Sequence, residues 1–319
     1  MANSLLSVPT RFRAYQLGTK GSSFSYFAGG HFTLIEGRLT ETSKKCLAAE
    51  MEICGKAEID TLHITSWDSD HCNDGELNEI LNALHPRRIE YPGYPPHTET
   101  AKLSLARVIA YGKSQRAAQI GASVQKIDPP FINSLNEAEN LGYKNMFLHP
   151  RRLVENSNDN SSVKLFRKGM FNVASLGDVE DGTIGSMLRR GRIFSSEVDV
   201  LILAHHGSKC DVNSKTFFKA VQPTVAICSS DYDNQYEHPD PSVSQSLYEL
   251  GIRKFTTKTG DIIVESLPGH FKNFRVTNLI ADSSKASSSY EYVSKKFRLL
   301  NTNMDTLRNR THPGFKGLR

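Results

Sequence analysis

Four short segments of this sequence hold carboxylate and imidazole side chains at spacings that could bind a metal or move a proton. Ser66-Trp67-Asp68-Ser69-Asp70-His71 places two acids and a histidine within four residues. Leu176-Gly177-Asp178 supplies a third acid, His205-His206-Gly207-Ser208 a histidine pair, and Glu237-His238-Pro239 a further histidine. A histidine pair at the end of a buried strand is costly unless the rings ligate an ion or enter a hydrogen-bond network. Taken singly, a solvated turn or a hydrogen-bonded structural residue accounts for any one segment. All four follow apolar runs that read as strands, and that shared position points to one convergent site.

The elements that must position these residues alternate. Apolar and β-branched runs predict strands over 32–35, 59–65, 163–166, 171–175, 198–204, 224–228 and 261–265. Helical spacing of apolar residues, with Ser, Thr or Asp at several starts, predicts helices over 42–53, 74–84, 99–118, 181–190, 214–221 and 242–250. The segments 12–37 and 255–276 read as strand following strand, so a mixed α/β sandwich with helices outside fits better than a purely parallel sheet. No internal repeat is detectable. A polar Asn/Ser cluster at 156–162 predicts a loop, and the Ser-rich run 282–289 predicts a linker, dividing the chain into a body over 1–280 and a basic tail over 281–319.

At 319 residues and 38% apolar content, with a mean hydropathy of −0.41, the chain can bury a sizeable core without disulfides. No apolar run approaches the roughly 18 residues of a membrane span. The first residues lack the pattern of a secretory leader. Five scattered cysteines, an odd number without zinc-site spacing, suit free thiols in a reducing compartment, so a cytoplasmic protein with no membrane association is expected. The formal charge of +5 is uneven: residues 281–319 hold eight basic against three acidic side chains, which leaves the body neutral. Such a tail could recruit a polyanion or merely be solvated.

The motif series, extended by Asn158-Asp159-Asn160-Ser161-Ser162-Val163, resembles the metallo-β-lactamase fold, in particular the hydrolase domain of the ComEC-type DNA-uptake channel, over 14–276. The resemblance implies a four-layer αββα sandwich with a binuclear metal site at one edge of the two sheets, here followed by a basic C-terminal extension. Position by position it implies that Asp70, His71, Asp178 and His205 hold one metal, with Asp178 bridging to a second. Asp68 and Ser66 fall where the second metal's ligands stand in the family. A neutral hydroxyl is a poor ligand, so that second site is weakened, and His149 is a candidate replacement or a substrate-facing histidine. Glu36-Gly37-Arg38 departs from the family's Asp-Gly-Gly, which puts the usual support of the ligands in doubt.

Three carboxylates (Asp68, Asp70, Asp178) with two imidazoles (His71, His205) form a hard donor set that favours Mn²⁺ over Zn²⁺, with Mg²⁺ third, at one or two ions per chain. A water activated by the metal would be the nucleophile. Asp70, His206 and His238 are candidate catalytic groups. The two histidines would contact phosphate or protonate the leaving group, or else orient ligands. Trp67 could stack on a base or pack in the core. The function these features imply is metal-dependent phosphodiester hydrolysis, as a nuclease on DNA, with a partner protein that delivers substrate as a further expectation. The alternatives are a weakened catalyst that binds nucleic acid or a partner, and a hydrolase of a small cyclic nucleotide or ester.

Overall fold

The computed structural model describes residues 7–117, 121–135 and 146–302. The end of the predicted helix 99–118 and the tail residues Arg308, Arg310, Lys316 and Arg319 lie outside them. In chain order the first half contributes β1 (Thr10–Ala14), β2 (Phe24–Ala28), β3 (His31–Ile35), α1 (Glu41–Ile53), β4 (Thr61–His63), α2 (Asp74–Ala83), β5 (Arg88–Pro92), α3 (Glu99–Ala117) and β6 (Ser123–Ile127). Next come α4 (Pro129–Ser134), β7 (Met146–His149), β8 (Val163–Phe166), β9 (Val173–Ser175), α5 (Gly182–Arg190), α6 (Arg192–Glu197), β10 (Val200–Ile202), α7 (Lys215–Val221), β11 (Val225–Cys228), α8 (Pro241–Glu249) and β12 (Arg253–Thr256). The described chain closes with β13 (Ile262–Ser266), β14 (Asn273–Leu279), β15 (Ala286–Val293) and α9 (Lys295–Thr302).

Nine strands form one sheet in the order β15-β14-β13-β1-β2-β3-β4-β5-β6, and six form a second in the order β12-β11-β10-β9-β8-β7. Strand alternation explains the layering, because successive side chains leave opposite faces. On β10 and β11, Val200, Ile202, Val225 and Ile227 point into a core between the sheets that also holds Phe12, Phe24, Phe166, Phe171 and Phe274. Their neighbours Leu201 and Ala226 face outward onto α7 and α8 through Phe217, Phe218 and Leu247. Phe32, Leu34 and Leu62 likewise face α1 and α2 through Leu47, Leu77 and Ile80. The result is the four-layer αββα sandwich. No helix among the described residues is long and apolar enough to cross a membrane.

Of the Ser-rich run 282–289 expected as a linker, residues 286–289 lie in β15. β15 pairs antiparallel with β14, Tyr292 stacks on Phe274 at 5.6 Å, and the Thr277 and Ser289 hydroxyls meet at 3.2 Å. As an edge strand β15 leaves one face in water, so serine is tolerated there, and the alternating Tyr290 and Tyr292 carried its period. α9 then docks on the opposite sheet: Lys295 donates its backbone N–H to Asp199 and its Nζ to the Val221 carbonyl, and Lys296 Nζ donates to the Arg167 and Gly169 carbonyls.

Candidate metal centre

Four parallel strands end on one edge of the sandwich, and each hands over to a loop closed by a helix cap. β4 leads through Asp68–His71 to Asn73, which accepts from Gly75 and Glu76 N–H. β9 leads through Asp178 to Asp181, which caps α5. β10 leads through His205 and His206 to Ser214, which caps α7, and β11 leads through His238 to Asp240, which caps α8. Capping satisfies free helix N–H groups and so fixes where each loop must stop.

The loops converge. One donor atom from each of Asp70, His71, Asp178 and His206 lies within 4.8 Å of all the others. Glycine permits the approach at two points: Gly177 has φ +55° and a Cβ there would meet Ser161 Cβ at 2.7 Å, while Gly207 has φ +82° and a Cβ would meet Pro239 Cβ at 2.7 Å. His205 and His206 also take left-handed backbone, φ 44° and 52°, a strain that persists only where surrounding contacts impose it. Asn213 supplies some of these contacts, donating its side-chain amide to the carbonyls of Ala204 and Ser208 at 2.8 and 2.7 Å.

Three imidazoles are held by the same device. His71 Nδ1 lies 3.2 Å from Glu36 Oε1, His205 Nδ1 lies 2.8 Å from Glu180 Oε1, and His206 Nδ1 lies 3.0 Å from the Ser229 carbonyl. An acceptor at Nδ1 fixes the proton there and leaves Nε2 as the ligating atom. His71 Nε2, His206 Nε2 and Asp178 Oδ1 are buried and face members of the same group: His71 Nε2 lies 2.8 Å from Asp178 Oδ1, and His206 Nε2 lies 3.5 Å from Asp70 Oδ2. Buried polar atoms that face one another and converge on one point fit a cation. Two carboxylates and two imidazoles suit a divalent metal.

The charges agree. Burial would depress the His71 imidazolium, but the Asp178 and Glu36 carboxylates outweigh it and hold the ring protonated well above its ordinary range. Burial would likewise raise Asp70 and Asp178. The imidazoles of His206 and His71 respectively outweigh it and hold both acids low. Burial also lowers His205, and Asp178 with Glu180 reverses that shift. The cluster therefore binds positive charge, and a divalent cation entering it would displace protons.

The structure places the other candidates apart from this group. His205, expected as a ligand, lies outside it with its ring turned onto Glu180, and the adjacent His206 lies inside. Consecutive left-handed residues send the two rings in different directions. Asp68 is also outside: it accepts from Ser66 Oγ at 2.9 Å, and that hydroxyl contacts Tyr94 Oη at 2.9 Å. His149 is buried with Nε2 on the Asp159 carbonyl at 2.7 Å. Trp67 is a core residue, 2% exposed, with its indole N–H on the Tyr94 carbonyl. His238 borders the cluster with its ring 6.2 Å from His205, stacked on the exposed Tyr236 at 5.6 Å. Its ring is held below the ordinary histidine range by burial and then by His206 and His205. Glu36, where support was in doubt, supplies it: besides His71 it accepts from Thr65 N–H at 3.0 Å and Thr65 Oγ1 at 2.6 Å.

Two helix-flanked sheets facing each other, with a His/Asp cluster where their parallel strands end on one edge, decide the fold. It is the metallo-β-lactamase type of fold. Solved structures similar to it include a putative metal-dependent hydrolase from Parabacteroides distasonis (10% identity over 76% of this chain and 90% of that one, TM-score 0.40). Others are a metallo hydrolase from the archaeon Ignicoccus hospitalis (11%, 79% and 98%, 0.44) and the CmlA β-hydroxylase E377D mutant (11%, 81% and 54%, 0.47). A stretch of 67 residues is 39% identical to the competence protein ComA of Neisseria gonorrhoeae; it covers 21% of this chain and 9% of that protein's length. No family model matches the chain. The metallo-β-lactamase fold thus rests on the architecture and the placement of the cluster.

Proposed function

We propose that this chain is a metal-dependent phosphodiester hydrolase acting on nucleic acid, with DNA as the first substrate to test. The observation that carries the reading is the convergence of Asp70, His71, Asp178 and His206 at the strand ends, where the ligating atoms of His71, Asp178 and His206 are buried and face one another and Asp70. These four would hold a divalent cation, Mn²⁺ being the first choice. Such an ion lowers the pKa of a water and neutralises charge developing on a phosphoryl group. With Asp68 outside the group the donor set is less oxygen-rich than the sequence implied, so Zn²⁺ is the close competitor.

The chain's own residues do the rest. Glu36 and the Ser229 carbonyl keep Nε2 of His71 and His206 available. Asp70, held as a carboxylate, faces His206 Nε2 at 3.5 Å and helps to orient that ring. His205 extends the site beyond the four, its Nδ1 fixed by Glu180. His238, neutral near pH 7, suits a hydrogen bond to a phosphoryl oxygen better than proton donation. Ser66 and Asp68 are occupied with each other, which favours one ion per chain. The short likeness to a competence protein supports nucleic acid as substrate, and five unbridged thiols suit a cytoplasmic setting. Metal content should be measured beside hydrolysis of single-stranded DNA, duplex DNA, a cyclic nucleotide and a small phosphodiester with added Mn²⁺ or Zn²⁺. Cleavage of DNA by a one-ion protein supports the reading. Stoichiometric metal with no phosphodiester cleavage would favour a binding protein instead.

A further inference from the structure

Where β12 closes the six-stranded sheet, the facing edge of the other sheet is β14 and β15, and the two edges leave a cleft of 440 Å³. Its walls include Arg253, Lys254 and Lys258 on one side and Ser288 and Tyr290 on the other, and Pro239 also lines it. Pro239 follows His238 and packs against Gly207, so the cleft borders the metal-centre loop.

Three features distinguish this cleft from ordinary surface. None of the three cations has a carboxylate partner among the described residues: Lys254 Nζ is bound by the Ser244 hydroxyl at 2.7 Å, and no ion pair involves Arg253 or Lys258. Arg253 is held in place, its guanidinium 3.4 Å from the centroid of the Tyr290 ring, which spends one aromatic face on aiming a donor fork. The like charges also press on one another: Lys254 is lowered by burial and then by Lys258. Uncompensated cations gathered at a cleft wall favour an anion with several charges.

We propose that the cleft holds backbone phosphates of a nucleic-acid strand next to the phosphate at the metal centre. Arg253 and Lys258 supply the charge, and Tyr290 positions Arg253. The inference rests on the nucleic-acid reading above and names the surface that would carry it. Edge strands also acquire lysines merely to repel other edges, which is the competing account of the same residues.

The test follows binding of long oligo(dT), and in parallel oligo(U), across a salt series with the Asp178→Ala protein, so that cleavage does not interfere. Adding Arg253→Gln and Lys258→Gln should weaken binding and flatten the log–log salt slope by about 1.4, at ~0.7 per single-strand phosphate contact. Lys258→Gln alone should give about half of that. Lys113→Gln, on α3 toward the far edge of the large sheet, should leave the slope as it is. Equal flattening on both polymers is expected, because phosphate and not sugar is read. An unchanged slope, a loss confined to one sugar, or self-association of the double variant with unaltered binding would overturn the proposal. Hydrolysis of a small phosphodiester by the unsubstituted chain reports separately on the parent reading. Its failure with flattened slopes would sink the enzyme and keep the cleft, whereas hydrolysis with unchanged slopes would do the reverse.

Discussion

His63 and His71 stand eight positions apart, both buried, both against a carboxylate, and they behave in opposite ways. His63 Nδ1 lies 3.2 Å from Glu90, but Lys164 Nζ contacts the same carboxylate oxygen and Arg88 binds the other at 3.0 Å. Burial and then Lys164 push His63 below its ordinary range. His71 faces Asp178 and Glu36, neither of which has a lysine or arginine partner among the described residues, and its ring is held protonated. A buried acid already paired with a cation makes a structural site, whereas buried acids without one demand a cation from elsewhere. Composition alone does not separate the two clusters; the accounting of charge does.

The largest expected effect attacks the demanding cluster. Asp178→Ala, assayed with saturating metal, should lower phosphodiester hydrolysis by about three orders of magnitude and reduce bound metal. Unchanged turnover and metal content would remove the distinction between the clusters. Breaking the satisfied cluster should cost stability instead: Glu90→Gln strands the buried Lys164 charge, and denaturant unfolding should show a loss of about 3–5 kcal/mol. Combining it with Lys164→Met should restore most of that loss, since removing a whole buried pair is often close to neutral.

A third buried carboxylate sharpens the contrast through pH. Asp199 is fully buried, accepts mainly from backbone N–H groups of Asn172 and Lys295, and is pushed up by burial to about 6. Between its ordinary value of 3.8 and about 6, the folded chain keeps a proton that the unfolded chain has released. Stability therefore falls as pH rises through that window, by up to about 3 kcal/mol, and stays lower above it. Asp199→Asn should remove this fall, which melting curves between pH 4 and 7 would record. The smallest effect is expected at Glu36→Gln, where exchanging the charged acceptor for His71 Nδ1 for a neutral one should weaken metal affinity about 10–100-fold, read by competition with a chelator.

Much of this was legible in the residues. Apolar and β-branched runs located the strands that end at the cluster, and their polar successors marked the edge where it forms. Three features were hidden for physical reasons. Which of His205 and His206 joins the group depends on two left-handed backbones, a conformation that side-chain identity does not announce outside glycine. Glu36 lies thirty-five residues from His71 and acts through the side-by-side pairing of β3 and β4. Glu180, two places after Asp178, was the acceptor a search for Nδ1 partners could have found. β15 escaped because an edge strand needs only one apolar face, and serine filled the other.

The docking of α9 bears on how this chain is made. Asp199 and the carbonyls of Arg167, Gly169 and Val221 belong to the small sheet and its flanking segments, yet the donors that satisfy them come from residues 295 and 296. On the ribosome those acceptors emerge more than seventy residues before their partners, about four to fifteen seconds at ordinary elongation rates. Throughout that interval the small sheet waits with Asp199 satisfied by Asn172 and Thr224 alone, and β15 and α9 supply the remaining donor only after synthesis has passed them.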